Sequence, residues 1–355
     1  MGGVEQVIDL IANGSQKLGI QSNVLSLSHY PNPPDIEING YQVHLCKMDY
    51  EIASCSISLS VIFKFFKLAK QADLIHYHFP WPFMDIVHFV TRTKKPTLVT
   101  YHSDIVRQKK LLTLYKPIQN LFLKSVNRII ATSPNYLSSS DMLIKHKDKV
   151  SIIPIGLDLS RYPVPTKNTI NDWKKRLGSK FFLFIGAIRY YKGLHILIEA
   201  AKYLDYPVVI VGSGPVEDEL KRKVANLKLT NIIFLGHLLE EDKVALLILC
   251  YAVVFPSHLR SEAFGISLLE GAMYGKALIS SEIGTGTSFI NINNQTGIVI
   301  PPGDPLALKN AIQYLWEHPE ITKRFGINAK QRYWDLFTAK KMIKSYVDIY
   351  TDLCK

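Results

Sequence analysis

Two glutamates with seven residues between them, Glu262 and Glu270, are the side chains in this sequence best placed to do chemistry. Glu262 follows the apolar run Ala252–Phe255, which reads as a buried strand, through a loop carrying Arg260 and Ser261. Phe264-Gly265 then opens an apolar-periodic stretch that predicts a helix, with Glu270 about five residues into it. At the helical rise that distance is roughly 7–8 Å. Carboxylates so far apart do not share a proton. They can hold two separate hydroxyl-bearing groups, with the amides of a helix start between them for a phosphate. A second strand at Ala277–Ser280 and the glycine loop Gly284–Thr287 repeat the strand-loop-helix pattern. Spacing alone equally describes a solvated helix position at Glu270 and a surface-loop charge at Glu262.

Cations and histidines sit at the same kind of place. The apolar strand Phe181–Ile185 exits into Gly186-Ala187-Ile188-Arg189-Tyr190-Tyr191-Lys192-Gly193, ahead of a predicted helix over 194–203. Arg189 and Lys192 before a helix N-terminus suit a diphosphate clamp, with Arg189 pointing to solvent as the alternative. In the first half, Asp73–Ile75 delivers His76, His78 and Trp81, and Thr97–Thr100 delivers His102 and Asp104. Open α/β sheets bind ligands at the carboxyl ends of their strands; the ordinary alternative for each histidine is a packed ring satisfied by a carbonyl. His102 has no carboxylate pair beside it in sequence, so no metal site is predicted there. Gly212-Ser213-Gly214 lacks the third glycine of a dinucleotide fingerprint and argues weakly for NAD.

The elements that must position these residues follow from length and pattern. A chain of 355 residues, 47% hydrophobic and 20% charged, suggests two globular domains, each with its own core. The net charge of +12 is spread along the chain and suits nucleic acid, anionic lipid or a phosphorylated substrate. No nucleic-acid-binding motif supports the first. Cys46, Cys55, Cys250 and Cys354 are scattered, as expected in a reducing compartment. The longest apolar run, Ala245–Phe255, is too short to span a bilayer, and a cytoplasmic protein is expected. Val4 to Leu18 and Leu59–Ala69 read as amphipathic helices, Ala339–Leu353 as a closing helix, and Arg161–Lys180 as a linker with one helical turn. Arg107–Arg128, which interleaves lysines with leucines and aromatics, reads either as a surface for anionic membrane or as an ordinary helix with snorkelling lysines.

The segments RSEAFGISLLEGA, EIGTGTS and HYHFPWPFMD together resemble the retaining glycosyltransferases of family 4, with the GT-B fold, in the form found in bacterial mannosyl- and rhamnosyltransferases of O-antigen and exopolysaccharide assembly. The resemblance covers nearly the whole chain. It implies an α/β protein of two Rossmann-like domains facing a cleft: residues 1–160 on the acceptor side, 161–335 holding the nucleotide sugar, and 336–355 as a helix crossing back. In the family a central strand precedes the loop corresponding to Gly2-Gly3. The first strand of the N-terminal domain is therefore missing from this sequence, and the expected natural start lies about 10–20 residues upstream.

The resemblance also implies roles. Glu270 would bind ribose hydroxyls and Glu262 the donor sugar, with the amides of Phe264 and Gly265 alongside. Lys192, joined by Arg189, would stabilise the leaving diphosphate; Ala187 stands where the family has arginine. Gly2 and Gly3 would face the donor phosphates, Gly212 would turn beside the nucleotide, and His237 would lie near the base. His102, Lys192 and Glu262 form the implied catalytic group, with His78, Trp81 and Asp104 on the acceptor side. The implied reaction is metal-independent, uses GDP-mannose or GDP-rhamnose, and acts on a lipid-linked saccharide at the anionic cytoplasmic face of the inner membrane. A sugar-nucleotide epimerase of the same fold and a catalytically impaired transferase-like partner are the alternatives.

Overall fold

The computed structural model describes residues 2–53, 55–105 and 109–355, and it divides into two units: 1–155 with 339–355, and 156–338. Met1, Val106 and Arg107 lie outside the described residues, so the first residue of the basic stretch is not placed.

Unit 2 is a repeat of strands and helices. In order they are α7 (Lys167–Leu177), β10 (Phe182–Ile185), α8 (Leu194–Ala201), β11 (Val208–Val211), α9 (Glu217–Asn226) and β12 (Ile232–Gly236). They continue as α10 (Glu240–Leu249), β13 (Ala252–Phe255), α11 (Ile266–Met273), β14 (Ala277–Ser281), α12 (Thr287–Ile290), β15 (Gly297–Ile300), α13 (Pro305–Glu317) and α14 (Pro319–Leu336). The six strands form one sheet in the order β12-β11-β10-β13-β14-β15, every neighbour parallel. This is the doubly wound order, with its reversal between β10 and β13. All residues of β10, β11 and β13 are buried, as expected of parallel strands covered on both faces. Helix starts obey local chemistry: Asp304 accepts from the amides of Leu306 and Ala307, both at 2.9 Å, with Pro305 in the first turn.

The stretch 161–180 departs from its expected linker character. It holds α7, eleven residues long, which Thr166 caps by accepting from the Thr169 amide. Tertiary partners supply what its polar composition lacks: the Trp173 indole donates to Asp242 at 2.8 Å and the Thr169 hydroxyl to Glu241 at 2.8 Å, both on α10.

Unit 1 contains α1 (Gly3–Gln16), β1 (Asn23–Ser28), β2 (Asp35–Ile38), β3 (Tyr41–Lys47), the antiparallel pair β4 (Tyr50–Ile52) and β5 (Cys55–Ile57), and α2 (Leu59–Gln71). Next come β6 (Ile75–Phe79), α3 (Pro82–Thr91), β7 (Thr97–Tyr101), α4 (Lys109–Ser125), β8 (Arg128–Ala131), α5 (Pro134–Ser139), α6 (Asp141–Lys145) and β9 (Val150–Ile152). The last helix of the chain, α15 (Ala339–Leu353), belongs to this unit and packs on α1. Its strands form two main sheets, not one. β1-β3-β2 has a parallel β1–β3 ladder, and β6-β7-β8-β9 is parallel throughout. A cavity of about 1200 Å³ separates them, walled by residues 23–27 of β1 and 75–79 of β6.

Candidate active site

In unit 2 the loops leaving β10 and β13 emerge on either side of the point where the sheet reverses its order. Lys192 comes from the first loop and Glu262 from the second. Their ammonium and carboxylate form a salt bridge, with only 11% and 10% of the two side chains exposed. The Ser257 hydroxyl donates to the same carboxylate at 3.3 Å, and the Lys192 Nζ lies 4.7 Å from the centre of the Phe255 ring. Glycine makes this approach possible. Gly193 has φ +74°, and a Cβ there would lie 2.0 Å from the carbonyl oxygen of Pro256. The His258 amide donates to the Tyr191 carbonyl at 3.0 Å, joining the two loops.

Glu270 lies on α11, one turn past the Gly265 that starts it with φ 99°. Its carboxylate accepts from the Tyr162 hydroxyl at 2.9 Å, and burial raises it to about 7. Burial and the neighbouring Glu270 together push the Tyr162 hydroxyl up. No sequence signal pointed to Tyr162, which is 108 residues from its partner. The Phe264 side chain is core, not site: it is buried, and its ring meets Phe337 edge-on at 6.2 Å. A Cβ on Gly286 would lie 2.5 Å from that ring.

The Gly212-Ser213-Gly214 turn has a packing reason. A Cβ on Gly212 would lie 2.0 Å from the Gly186 carbonyl, and one on Gly214 2.2 Å from that of Ile188. The Ile188 amide donates to Ser213 at 2.8 Å, so the exits of β10 and β11 lie backbone on backbone. Arg189 and Ala187 are exposed, and His237 is exposed just past β12. Arg189 is therefore not drawn into the Lys192–Glu262 pair.

Unit 1 gathers its histidines below the carboxyl ends of β6 and β7. His78 Nδ1 and His102 Nε2 are 2.9 Å apart with their rings stacked, so one imidazole donates and the other accepts. Burial lowers His102 to about 4 and His78 well below its ordinary value, leaving both neutral near pH 7. His76, which the sequence places with His78 at a strand end, bonds the Tyr350 hydroxyl and Thr100 Oγ1, each at 2.7 Å, and Thr100 meets the Tyr346 hydroxyl at 2.9 Å. Helix α15 thus braces the histidine strands. Trp81 donates its indole N–H to the Ser56 carbonyl at 2.9 Å. Asp104 accepts from the Tyr101 and Ser140 hydroxyls at 2.9 and 2.7 Å, tying the loop after β7 to α5 and α6. Gly2 caps α1 in extended backbone and, like Gly3, is exposed. Among the described residues no three His, Cys, Asp or Glu side chains come together as metal ligands, and no helix is long and apolar enough to cross a membrane.

A lysine and two acids near the reversal point of a doubly wound sheet are groups that suit a polyhydroxylated anion. Residues 166–332 match the family of glycosyl transferases group 1, and residues 1–161 match glycosyltransferase family 4. The chain is 56% identical over 339 residues to D-rhamnosyltransferase WbpZ of Pseudomonas aeruginosa, covering 96% of this chain and 89% of that protein. It is 47% identical over 352 residues to O-antigen chain mannosyltransferase C of Escherichia coli, covering 99% and 95%. Its fold is that of sucrose-phosphate synthase from Thermosynechococcus elongatus, at a TM-score of 0.82 and 22% identity over 99% and 94% of the two chains. It is also that of Anabaena Alr3699/HepE solved with UDP, at a TM-score of 0.77 and 19% identity over 99% and 96%. This chain belongs to the family of GT-B glycosyltransferases that these matches define.

Proposed function

We propose that this glycosyltransferase moves mannose or rhamnose from a GDP-sugar to a lipid-linked saccharide of bacterial surface polysaccharide, retaining the anomeric configuration and needing no metal. The names of the two relatives at 56% and 47% identity support the choice of sugars and of O-antigen as product. The observation that carries the chemistry is the Lys192–Glu262 pair at the sheet reversal, with Glu270 on the helix that follows. A diphosphate entering there takes Lys192 as its counter-ion and releases Glu262 to the hydroxyls of the donor sugar. Lys192 then neutralises the charge that develops on the leaving nucleoside diphosphate, a preorganised electrostatic role. Glu270, once ionised, accepts from ribose hydroxyls in place of Tyr162. In unit 1, His102 is neutral and serves as a hydrogen-bonding group toward the sugars, oriented by His78. A donor screen against a synthetic lipid-diphosphate saccharide tests the reading. It should release GDP with chelator present; UDP-only or chelator-sensitive release overturns it.

The same reading includes an anionic membrane, which one face of unit 1 supports. Leu59, Phe63 and Phe66 are exposed on α2, Phe63 at 77%. Ile86, Phe89 and Val90 are exposed on α3, which packs against α2, and Leu111, Leu114 and Leu121 on α4, which packs against α3. Lys67, Lys70, Arg92, Lys116 and Lys124 are exposed on the same elements or at their ends. Exposed apolar side chains and cations on the same packed helices suit a surface of anionic headgroups. Flotation with phosphatidylglycerol vesicles should retain the protein, phosphatidylcholine vesicles should not, and Phe63→Ser should weaken retention. Equal binding to both lipids would refute this face.

A further inference from the structure

We propose that Thr132 is a positioning residue for His102: when a sugar hydroxyl displaces His78 from His102 Nε2, the Thr132 hydroxyl takes the other ring nitrogen, Nδ1. This rests on the reading that His102 meets the sugars, and it adds the group that holds the imidazole while it does so.

Register puts the two residues side by side. Tyr101, the last residue of β7, is the register partner of Ala131, the last of β8, and His102 and Thr132 each come next. Pairing continues to that level. The His102 amide donates to the Phe79 carbonyl and the Ile153 amide to the Ala131 carbonyl, both at 3.0 Å. Neighbouring strands lie about 4.8 Å apart, and residues two apart along a strand share a face. His78, Thr100 and Ile130 are register partners on one face, and His102 and Thr132 are the next residues along it. His102 therefore has a polar neighbour on either side, His78 toward β6 and Thr132 toward β8.

The state of that neighbour is what needs a reason. Thr132 is 1% exposed, and among the described residues its Oγ1 is buried with no hydrogen-bond partner. Hydroxyls close to it in the chain are engaged. Ser133 accepts from the Tyr136 amide at 3.0 Å, the Tyr136 hydroxyl accepts from the Asp104 amide at 2.6 Å, and Ser140 donates to Asp104 at 2.7 Å. An unpaired buried hydroxyl destabilises a fold where a methyl of similar shape does not. Such a group calls for a use outside stability.

The chemistry of imidazole supplies the use. A neutral ring has one donor and one acceptor nitrogen, and His78 holds only Nε2. A hydroxyl both donates and accepts, so Thr132 can meet Nδ1 in either tautomer. Holding one ring nitrogen fixes the tautomer and the direction of the other.

Thr132→Val and Thr132→Ser test this, assayed with the nucleotide sugar that the wild type turns over. In Thr132→Val the melting temperature should hold or rise while kcat falls about tenfold, with affinity for the nucleoside diphosphate kept within about twofold. Thr132→Ser should return most of the rate. A second readout needs no turnover. In His78→Ala, the imidazole nitrogen chemical shifts should show His102 Nδ1 hydrogen-bonded, and adding Thr132→Val should remove that signature. Three outcomes overturn the proposal: an unchanged rate in Thr132→Val, a rate that falls together with the melting temperature, or His102 shifts in His78→Ala that ignore the Thr132 hydroxyl. Release of UDP in place of GDP would overturn the donor reading and leave this comparison standing.

Discussion

The two units solve one problem with different completeness. Unit 2 has a continuous six-stranded sheet, and Lys192 and Glu262 stand on the loops leaving the two strands at its centre, β10 and β13, each paired on both sides. Among the described residues unit 1 has its sheet in two parts; His76 and His78 stand on β6, an edge, and His102 directly follows the neighbouring β7. The difference teaches where rigidity comes from. In unit 2 the backbone itself locks the site: glycines at 193, 212 and 214 let neighbouring loops touch main chain to main chain. In unit 1 the site is braced by side chains, through Tyr346 and Tyr350 of α15.

That contrast is open to attack at several strengths. The heaviest blow falls on unit 2 through Lys192→Ala, which should lower kcat for transfer from the proposed GDP-sugar donor by roughly 10²–10³-fold, about 3–4 kcal/mol of transition-state stabilisation. A loss under fivefold would remove Lys192 from the chemistry. Next is Gly193→Ala, whose Cβ would meet the Pro256 carbonyl at 2.0 Å; it should cost about 3 kcal/mol in urea unfolding. Gly178→Ala, with φ +77° and nothing within 4 Å, should cost only about 1 kcal/mol. Equal costs would show that strain, not loop contact, governs Gly193.

In unit 1 the comparable test is Tyr115→Phe. Asp85 is 2% exposed and accepts from the Tyr115 hydroxyl, so losing that donor should cost about 1–3 kcal/mol. Burial raises the Asp85 carboxyl to about 8, above its unfolded value, so the native state holds the proton more tightly. Its contribution to stability is therefore full in acid and falls as pH rises from about 4 through 8. Asp85→Asn should flatten that slope, read as melting temperature against pH.

Glu270 gives a gentler probe of unit 2. With its carboxyl at about 7, GDP that requires the ionised form should bind about tenfold more tightly at pH 8 than at pH 6, by calorimetry. Glu270→Gln should abolish that dependence. The smallest expected effect is Tyr346→Phe, about 0.5–1.5 kcal/mol, because Thr100 keeps its bond to His76. A cost above 3 kcal/mol would mean that the side-chain brace of unit 1 carries far more than a single hydrogen bond.

Much of this molecule is written locally. The all-apolar strands of unit 2, the helix opening at Gly265 and the histidines at strand ends follow from periodicity and glycine placement over a few residues, and family resemblance added their roles. What failed to show in sequence did so for identifiable reasons. The helix α7 has a polar composition and takes its order from Asp242 and Glu241, about 70 residues away. Phe264 belongs to a conspicuous motif, yet its ring is packing against Phe337. Asp104 lies in the loop after β7, and only the fold shows that its Oδ1 accepts from Tyr101 and Ser140.

By itself, then, the sequence determined the alternation of strands and helices, the loops in which Lys192, Glu262 and His102 sit, and the helix that carries Glu270. Only the tertiary structure decided that Lys192 and Glu262 pair across 70 residues, that Tyr162 occupies Glu270, that His78 and His102 share a hydrogen bond, and that the first unit's sheet opens between β1 and β6. Propensity and period act over a turn or a strand. Which strand ends become neighbours depends on the order of strands in the sheet, and that order is settled by burial and backbone pairing across the whole unit.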